Sequence, residues 1–118
     1  MPADFTKNVD MLATELTVAD EIDTGAATSP VTVLTPSSGK KIDTRSVYLS
    51  SDSTTGKVEA RYANTGDLLA VLYCSKFAMI RLDSVRKVGQ TNEPIQISWA
   101  DTDTGAKIFY VIRYKETV

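Results

Sequence analysis

From about residue 30 onward, apolar and polar residues alternate one for one in short runs, and turn-forming clusters separate the runs. A period of two sends successive side chains to opposite faces of an extended strand. Val58, Ala60 and Tyr62 alternate with Lys57, Glu59 and Arg61, and Ile95, Ile97 and Trp99 alternate with Gln96 and Ser98. In the last run Ile108, Tyr110, Ile112 and Tyr114 share one face, while Phe109, Val111 and Arg113 share the other. A strand that is apolar on both faces along most of its length belongs near the middle of a sheet.

The punctuation is equally regular. Thr35-Pro-Ser-Ser-Gly39, Asp52-Ser-Thr-Thr-Gly56, Ala63-Asn-Thr-Gly-Asp67 and Val88-Gly-Gln-Thr-Asn-Glu-Pro94 are loops, with Pro94 opening a strand where no ladder donor is lost. Asp101-Thr-Asp-Thr-Gly105 is a five-residue hairpin connection whose glycine can supply positive φ. Strands are expected near 16–22, 30–35, 42–50, 57–63, 68–74, 78–83, 85–88, 94–100 and 106–115. Short strands with frequent turns, and no helices alternating with them, predict an all-β, antiparallel two-sheet sandwich, jelly-roll-like or immunoglobulin-like.

The first fifteen residues read differently. Phe5, Val9, Leu12 and Leu16 recur at spacings of four, three and four, which is one face of a helix. Asp4 is a possible cap, although Thr6 and Asn8 are mediocre helix formers. A helix this short is marginal alone in water, so residues 1–15 are expected to form an arm that docks on the domain or on a neighbouring subunit. Residues 16–118 form the sandwich domain.

Composition removes whole classes of chemistry. There is no histidine, hence no imidazole to serve as base, metal ligand or partner of a nucleophile. Cys74 is the sole cysteine and closes the apolar run that begins at Leu68, so it reads as a small buried hydrophobe, and no disulfide or thiolate cage can form. The 13 basic and 15 acidic residues are intermixed, and the densest basic stretches, Lys40-Lys41 with Arg45 and Arg81 with Arg86-Lys87, are flanked by acids. A nucleic-acid partner, which needs a clustered basic surface, is not expected. No run of eighteen apolar residues suggests a membrane span, and no basic segment followed by an apolar core suggests a secretory signal. A soluble chain made in a cytoplasm, with no cofactor and no metal, is the expectation.

Three constellations invite chemistry. Asp101, Asp103 and Gly105 resemble the start of a calcium loop, but no bidentate glutamate follows and Lys107 sits close, so a plain turn is preferred. Asp20, Glu21 and Asp23 cluster, yet none lies in the apolar setting that would raise the pKa of a catalytic acid. Among Tyr48, Tyr62, Tyr73, Trp99, Tyr110 and Tyr114, most fall at inward positions and read as core; Trp99, beside the Asp101–Gly105 turn, is the candidate for stacking a carbohydrate. The chain is read as non-enzymatic.

The order of features resembles a known group. Phe5-Thr-Lys-Asn-Val9 leads to Val31-Thr-Val-Leu-Thr-Pro-Ser-Ser-Gly-Lys-Lys-Ile42, then Val47-Tyr-Leu-Ser50, Gly56-Lys-Val-Glu-Ala60, Asn92-Glu-Pro-Ile95 and the closing Gly105-Ala-Lys-Ile-Phe-Tyr-Val-Ile-Arg-Tyr-Lys-Glu116. This resembles small β-sandwich virion proteins of tailed bacteriophages and prophages, in which a Pro-x-x-Gly-Lys-x-Ile opening and a hydrophobic closing strand recur. The resemblance spans nearly the whole chain, rests on structural punctuation, and transfers no functional residue. It implies a capsid decoration or auxiliary head protein, a head fibre or a tail accessory protein. Such a protein would be a homo-oligomer, assembled in the host cytoplasm and joined in the virion to the major capsid protein or to tail proteins. A host-surface carbohydrate-binding module is the alternative.

Overall fold

A computed structural model of the chain describes residues 15–118. Among the described residues nine strands are found: β1 (Leu16–Asp23), β2 (Val31–Leu34), β3 (Lys41–Ser51), β4 (Lys57–Tyr62), β5 (Leu68–Tyr73), β6 (Ala78–Leu82), β7 (Lys87–Val88), β8 (Ile95–Ala100) and β9 (Lys107–Thr117). The expected strand near 85–88 is thus only two residues long. Leu16 opens β1 and so lies in a strand rather than on a helical face; Phe5, Val9 and Leu12 lie outside the described residues. Among the described residues no helix is long and apolar enough to cross a membrane.

The strands form two antiparallel sheets, one ordered β1-β9-β3-β6 with β7 also beside β3, the other ordered β2-β8-β4-β5. Setting the short β7 aside, the first strand pairs with the last (β1 with β9), the second with the next to last (β2 with β8), β3 with β6, and β4 with β5. The chain is therefore one long hairpin, its tip at 63–67, rolled so that most connections cross from sheet to sheet. That order is a jelly roll, which decides between the two sandwich types the sequence left open. As expected, β9 is interior, paired with β1 from Lys107 to Tyr114 and with β3 from Ile108 to Thr117.

β3 is long enough to hold two partners in line. Its C-terminal half, Val47–Ser51, pairs with β6, and Asp43–Thr44 pairs with β7. A register shift in β3 between Thr44 and Ser46 marks the join, and the Arg45 carbonyl accepts from the Val85 N–H at 3.1 Å. A bulge bends and twists a strand, which accounts for the partner breaking into two pieces at that point.

Between the sheets, Ile42, Val47, Leu49, Ile108 and Ile112 face Val58, Ala60, Tyr62, Ile95 and Ile97, and all are essentially fully buried. Two polar devices are set into this apolar layer. Tyr62, on β4, reaches across to the other sheet: its hydroxyl lies 2.7 Å from the Ile42 carbonyl, 2.7 Å from the Lys87 carbonyl and 2.8 Å from Thr44 Oγ1. With one proton to give, it donates toward the carbonyls while the Thr44 hydroxyl donates to it. Gly89 makes room for the ring, because a Cβ there would stand 2.6 Å from Tyr62 Cε1. Burial pushes the Tyr62 hydroxyl pKa up.

The second device is Glu93, fully buried between two loops. One carboxylate oxygen accepts from the Asn64 and Thr65 N–H groups, both at 2.6 Å, and from Thr65 Oγ1 at 3.1 Å; the other accepts from the Gln90 N–H at 2.8 Å. Burial works to raise its pKa, but donation from the Gln90, Thr65 and Asn64 N–H groups outweighs it and holds the carboxyl below the usual glutamate range. The loop at 89–93 is thereby clamped to the tip of the rolled hairpin.

Tyr62→Phe leaves the Thr44 hydroxyl and the facing carbonyls short of a buried partner. The expected cost is about 1–3 kcal/mol, read as a lower urea midpoint at unchanged slope; an unmoved midpoint would mean the hydroxyl ties nothing. Because the folded pKa of Glu93 is depressed, its stabilisation is present above the unfolded value of about 4.3 and is lost as pH falls toward the folded one. Glu93→Gln is therefore expected to be less stable at pH 7 and to lose less than the parent between pH 6 and pH 3, as measured by thermal unfolding across that range.

Candidate partner-binding surface

The outward face of the five-stranded sheet carries the apolar surface that the core does not use. Alternation along β9 sends Phe109 and Val111 outward, and pairing lines them up with neighbours in rows. One row reads Glu21, Phe109, Ser50 and Met79; the next reads Ala19, Val111, Tyr48 and Arg81. Tyr48 and Phe109 meet edge to face with ring centroids 5.9 Å apart, the geometry aromatic pairs favour. Together with Phe77 and Asp52 they line an open groove of about 350 Å³. A second hollow of about 250 Å³, between Tyr48, Arg81, Val111 and Arg113, continues along the same face.

Phe77 stands at one end of this strip, 76% exposed. It and Lys76 both hold positive φ, 59° and 53°, in the turn between β5 and β6. Left-handed backbone is costly for a bulky L-residue, roughly 1–2 kcal/mol, and an aromatic there is an outlier. Strain of this kind clusters at functional sites. The turn is anchored from behind, with the Lys76 N–H on the Ser53 carbonyl at 3.0 Å and the Cys74 N–H on the Gly56 carbonyl at 2.9 Å. The Lys76 ammonium lies 5.9 Å from the ring centroid.

Of the residues singled out from sequence, Trp99 is half-buried and packed against the core, its backbone N–H donating to Ser29 Oγ at 3.1 Å. Tyr62 and Tyr110 are core and Tyr114 packs on it, as read. Tyr73, by contrast, is 74% exposed, and Tyr48 faces outward: both depart from the inward reading. Leu16 is 39% exposed and stands across from Tyr114 on the margin of the sheet. The strip formed by Tyr48, Phe77, Met79 and Phe109 escaped the sequence reading. Its one signal there was Phe109 on the second apolar face of the last strand.

The chemistry candidates are occupied by structure. Asp103 Oδ2 accepts from the Thr54 N–H at 2.7 Å and from Thr54 Oγ1 at 2.8 Å, and the Thr54 N–H first of all lowers its pKa. The Asp101–Gly105 segment is thus a turn fastened to the 52–56 loop, with Asp101 at φ 59° and Gly105 at φ 74°; it carries the chain from β8 in one sheet to β9 in the other, so it is not the hairpin connection expected from the sequence. Asp23 is lowered too, by the Gly25 N–H first. A general acid needs the opposite shift. Cys74 is buried, and burial pushes its thiol up, away from the thiolate a reactive cysteine requires. Among the described residues no group of three or more Asp, Glu or Cys side chains is placed to hold a metal ion.

No protein-family model matches this sequence, and no curated protein sequence does. Solved structures to which the chain is similar include the virus-like particle of the extra small virus of the giant freshwater prawn Macrobrachium rosenbergii. That match has 16% identity over 85% of this chain and 77% of the other, at a TM-score of 0.42. The capsid asymmetric unit of cyanophage Pam1 is another, at 15% identity over 84% of this chain and 81% of the other, with a TM-score of 0.47. Likeness at this level fixes neither family nor function.

Replacing the strained aromatic gives a direct reading of its role. Phe77→Gly is expected to stabilise the fold by about 0.5–1 kcal/mol, the relief of left-handed strain less the extra freedom of glycine in the unfolded chain. Chemical denaturation checks this; a clear loss of stability would show that the ring is a packing residue.

Proposed function

We propose that this chain is a structural virion component, a capsid decoration or auxiliary head protein that seats on the particle through the outward face of its five-stranded sheet. The observation that carries the reading is a jelly roll with an apolar, aromatic strip on one outward face, ending in an exposed ring held at conformational cost. Jelly rolls recur in viral capsid domains as well as in lectins, and fold alone does not assign function. The strip is what favours a docking role: exposed apolar patches mark interaction sites, and aromatic residues are enriched where binding energy concentrates. The resemblance to virion proteins of tailed phages points the same way. In this reading residues 1–15, with Phe5, Val9 and Leu12, are a second docking element, and the major capsid protein is the partner.

The experiment is co-sedimentation of the purified chain with particles of the encoding virus or prophage assembled without it. Saturable binding at a fixed ratio is expected, weakened about tenfold or more by Phe77→Gly or Phe109→Ser, and by deletion of residues 1–14. A chain that stays in the supernatant at every concentration, and is absent from purified virions by mass spectrometry, overturns the proposal.

One feature favours a second reading, a tail-borne module that binds host-surface carbohydrate. The rings of Tyr48 and Phe109 line the same groove as Glu21, Ser50 and Asp52, an apolar platform beside groups able to bond sugar hydroxyls. Saturable glycan binding that disappears in Tyr48→Ala would support it, and failure on a broad glycan panel would remove it.

A further inference from the structure

The two margins of the five-stranded sheet carry opposite charge. Along β1 and the residue before it stand Glu15, Asp20, Glu21 and Asp23, with no basic residue among them. On the opposite margin, residues 76–88 hold Lys76, Arg81, Arg86 and Lys87 against the one acid Asp83. Part of this charge is spent within the chain: Glu15 on Arg113 at 3.4 Å, Asp23 on Lys107 at 3.5 Å, Arg81 on Asp83 at 2.9 Å. Among the described residues Asp20 and Glu21 have no ion-pair partner, and neither do Lys76, Arg86 and Lys87. The uncompensated charge is thus acidic on one margin and basic on the other.

Apolar exposure follows the same margins. Leu16 is 39% exposed on the acidic one; Met79 and Val88 are 57% and 51% exposed on the basic one. Strand direction also fits. β1, β9, β3 and β6 alternate in direction across the sheet, so a copy set beside the first presents its β1 antiparallel to the first copy's β6. A two-fold contact would instead place acids on acids at β1, or bases on bases at β6 and β7.

We infer that copies of this chain associate head to tail, the β1 margin of one seated on the β6–β7 margin of the next. A contact between two different margins is heterologous, and it builds a ring when the rotation closes. The inference stands on the margin charges and does not depend on the virion reading.

The test uses two charge-reversed full-length chains. One carries Arg86→Glu and Lys87→Glu, the other Asp20→Lys and Glu21→Lys; circular dichroism and thermal unfolding confirm that each is folded. By sedimentation velocity at low salt, the parent is expected to exceed the one-chain mass and to fall toward it as salt rises. Each reversed chain alone should associate at least about tenfold more weakly. An equimolar mixture should regain association, because the unaltered β1 margin of one chain then meets the unaltered β6–β7 margin of the other, and the two reversed margins meet with opposite charge. A parent that stays at one-chain mass at low salt overturns the inference, and so does a mixture that associates no better than its components. Loss of association with intact particle binding in the Arg86→Glu, Lys87→Glu chain, whose substitutions lie outside the groove, or the converse in Phe109→Ser, separates this contact from the docking face.

Discussion

The two sheets are joined in their apolar layer by one hydroxyl. Tyr62 sits on the four-stranded sheet, and its oxygen lies within hydrogen-bond reach of Thr44 on β3 and of the Ile42 and Lys87 carbonyls. Apolar contact between sheets is non-directional and tolerates sliding, whereas a buried hydroxyl without its partners is costly. The bond therefore fixes how β4 sits over β3 and keeps the two-residue β7 against the sheet. Gly89 follows from this constraint, since the ring occupies the space a side chain there would need. Glu93 does similar work at the hairpin tip, where four donors from two loops converge on one carboxylate.

With the fold pinned from within, the outward face of the five-stranded sheet is free to vary, and there the local rules are broken. Phe77 is exposed, aromatic and in left-handed backbone. Nothing in the core requires it, and a glycine would fit the turn better. Met79, Phe109 and Tyr48 extend the same strip across three strands. Natural chains depart from local consistency chiefly where function asks for it, and this departure coincides with the grooves.

Much of this architecture was legible in the sequence because strand period and turn chemistry are local. Val58, Ala60 and Tyr62, and Ile95 and Ile97, turned inward as their alternation requires, and β9 proved central because both of its faces are apolar. The jelly-roll order was not legible, since pairing first strand with last depends on contacts about ninety residues apart. Trp99 and Tyr73 show the limit of period-two reasoning. Trp99 shares the inward face of β8 yet lies near the end of its strand, where cover is partial. Tyr73 sits on the outward side of the terminal strand β5, one position from the buried Leu72 and Cys74. The apolar strip was hidden for another reason: Phe77 is isolated in a turn, and it joins Tyr48 and Phe109 only once β6 lies beside β3.

The margins of the sheets raise the problem every open sandwich faces. A terminal strand invites addition of another strand, and natural sheets blunt that tendency with charge, above all charge turned toward the core side. Asp20 does this on β1: it stands on the inward-facing register, opposite Tyr110, where its charge adds to burial in raising the tyrosine pKa. The device repels strands indiscriminately only if both margins carry the same sign. Here they do not, so the charges that discourage a second β1 attract the β6–β7 margin. Under the head-to-tail inference, protection against aggregation and choice of partner come from the same few side chains, as expected when specificity is built by disfavouring the wrong contact as well as favouring the right one.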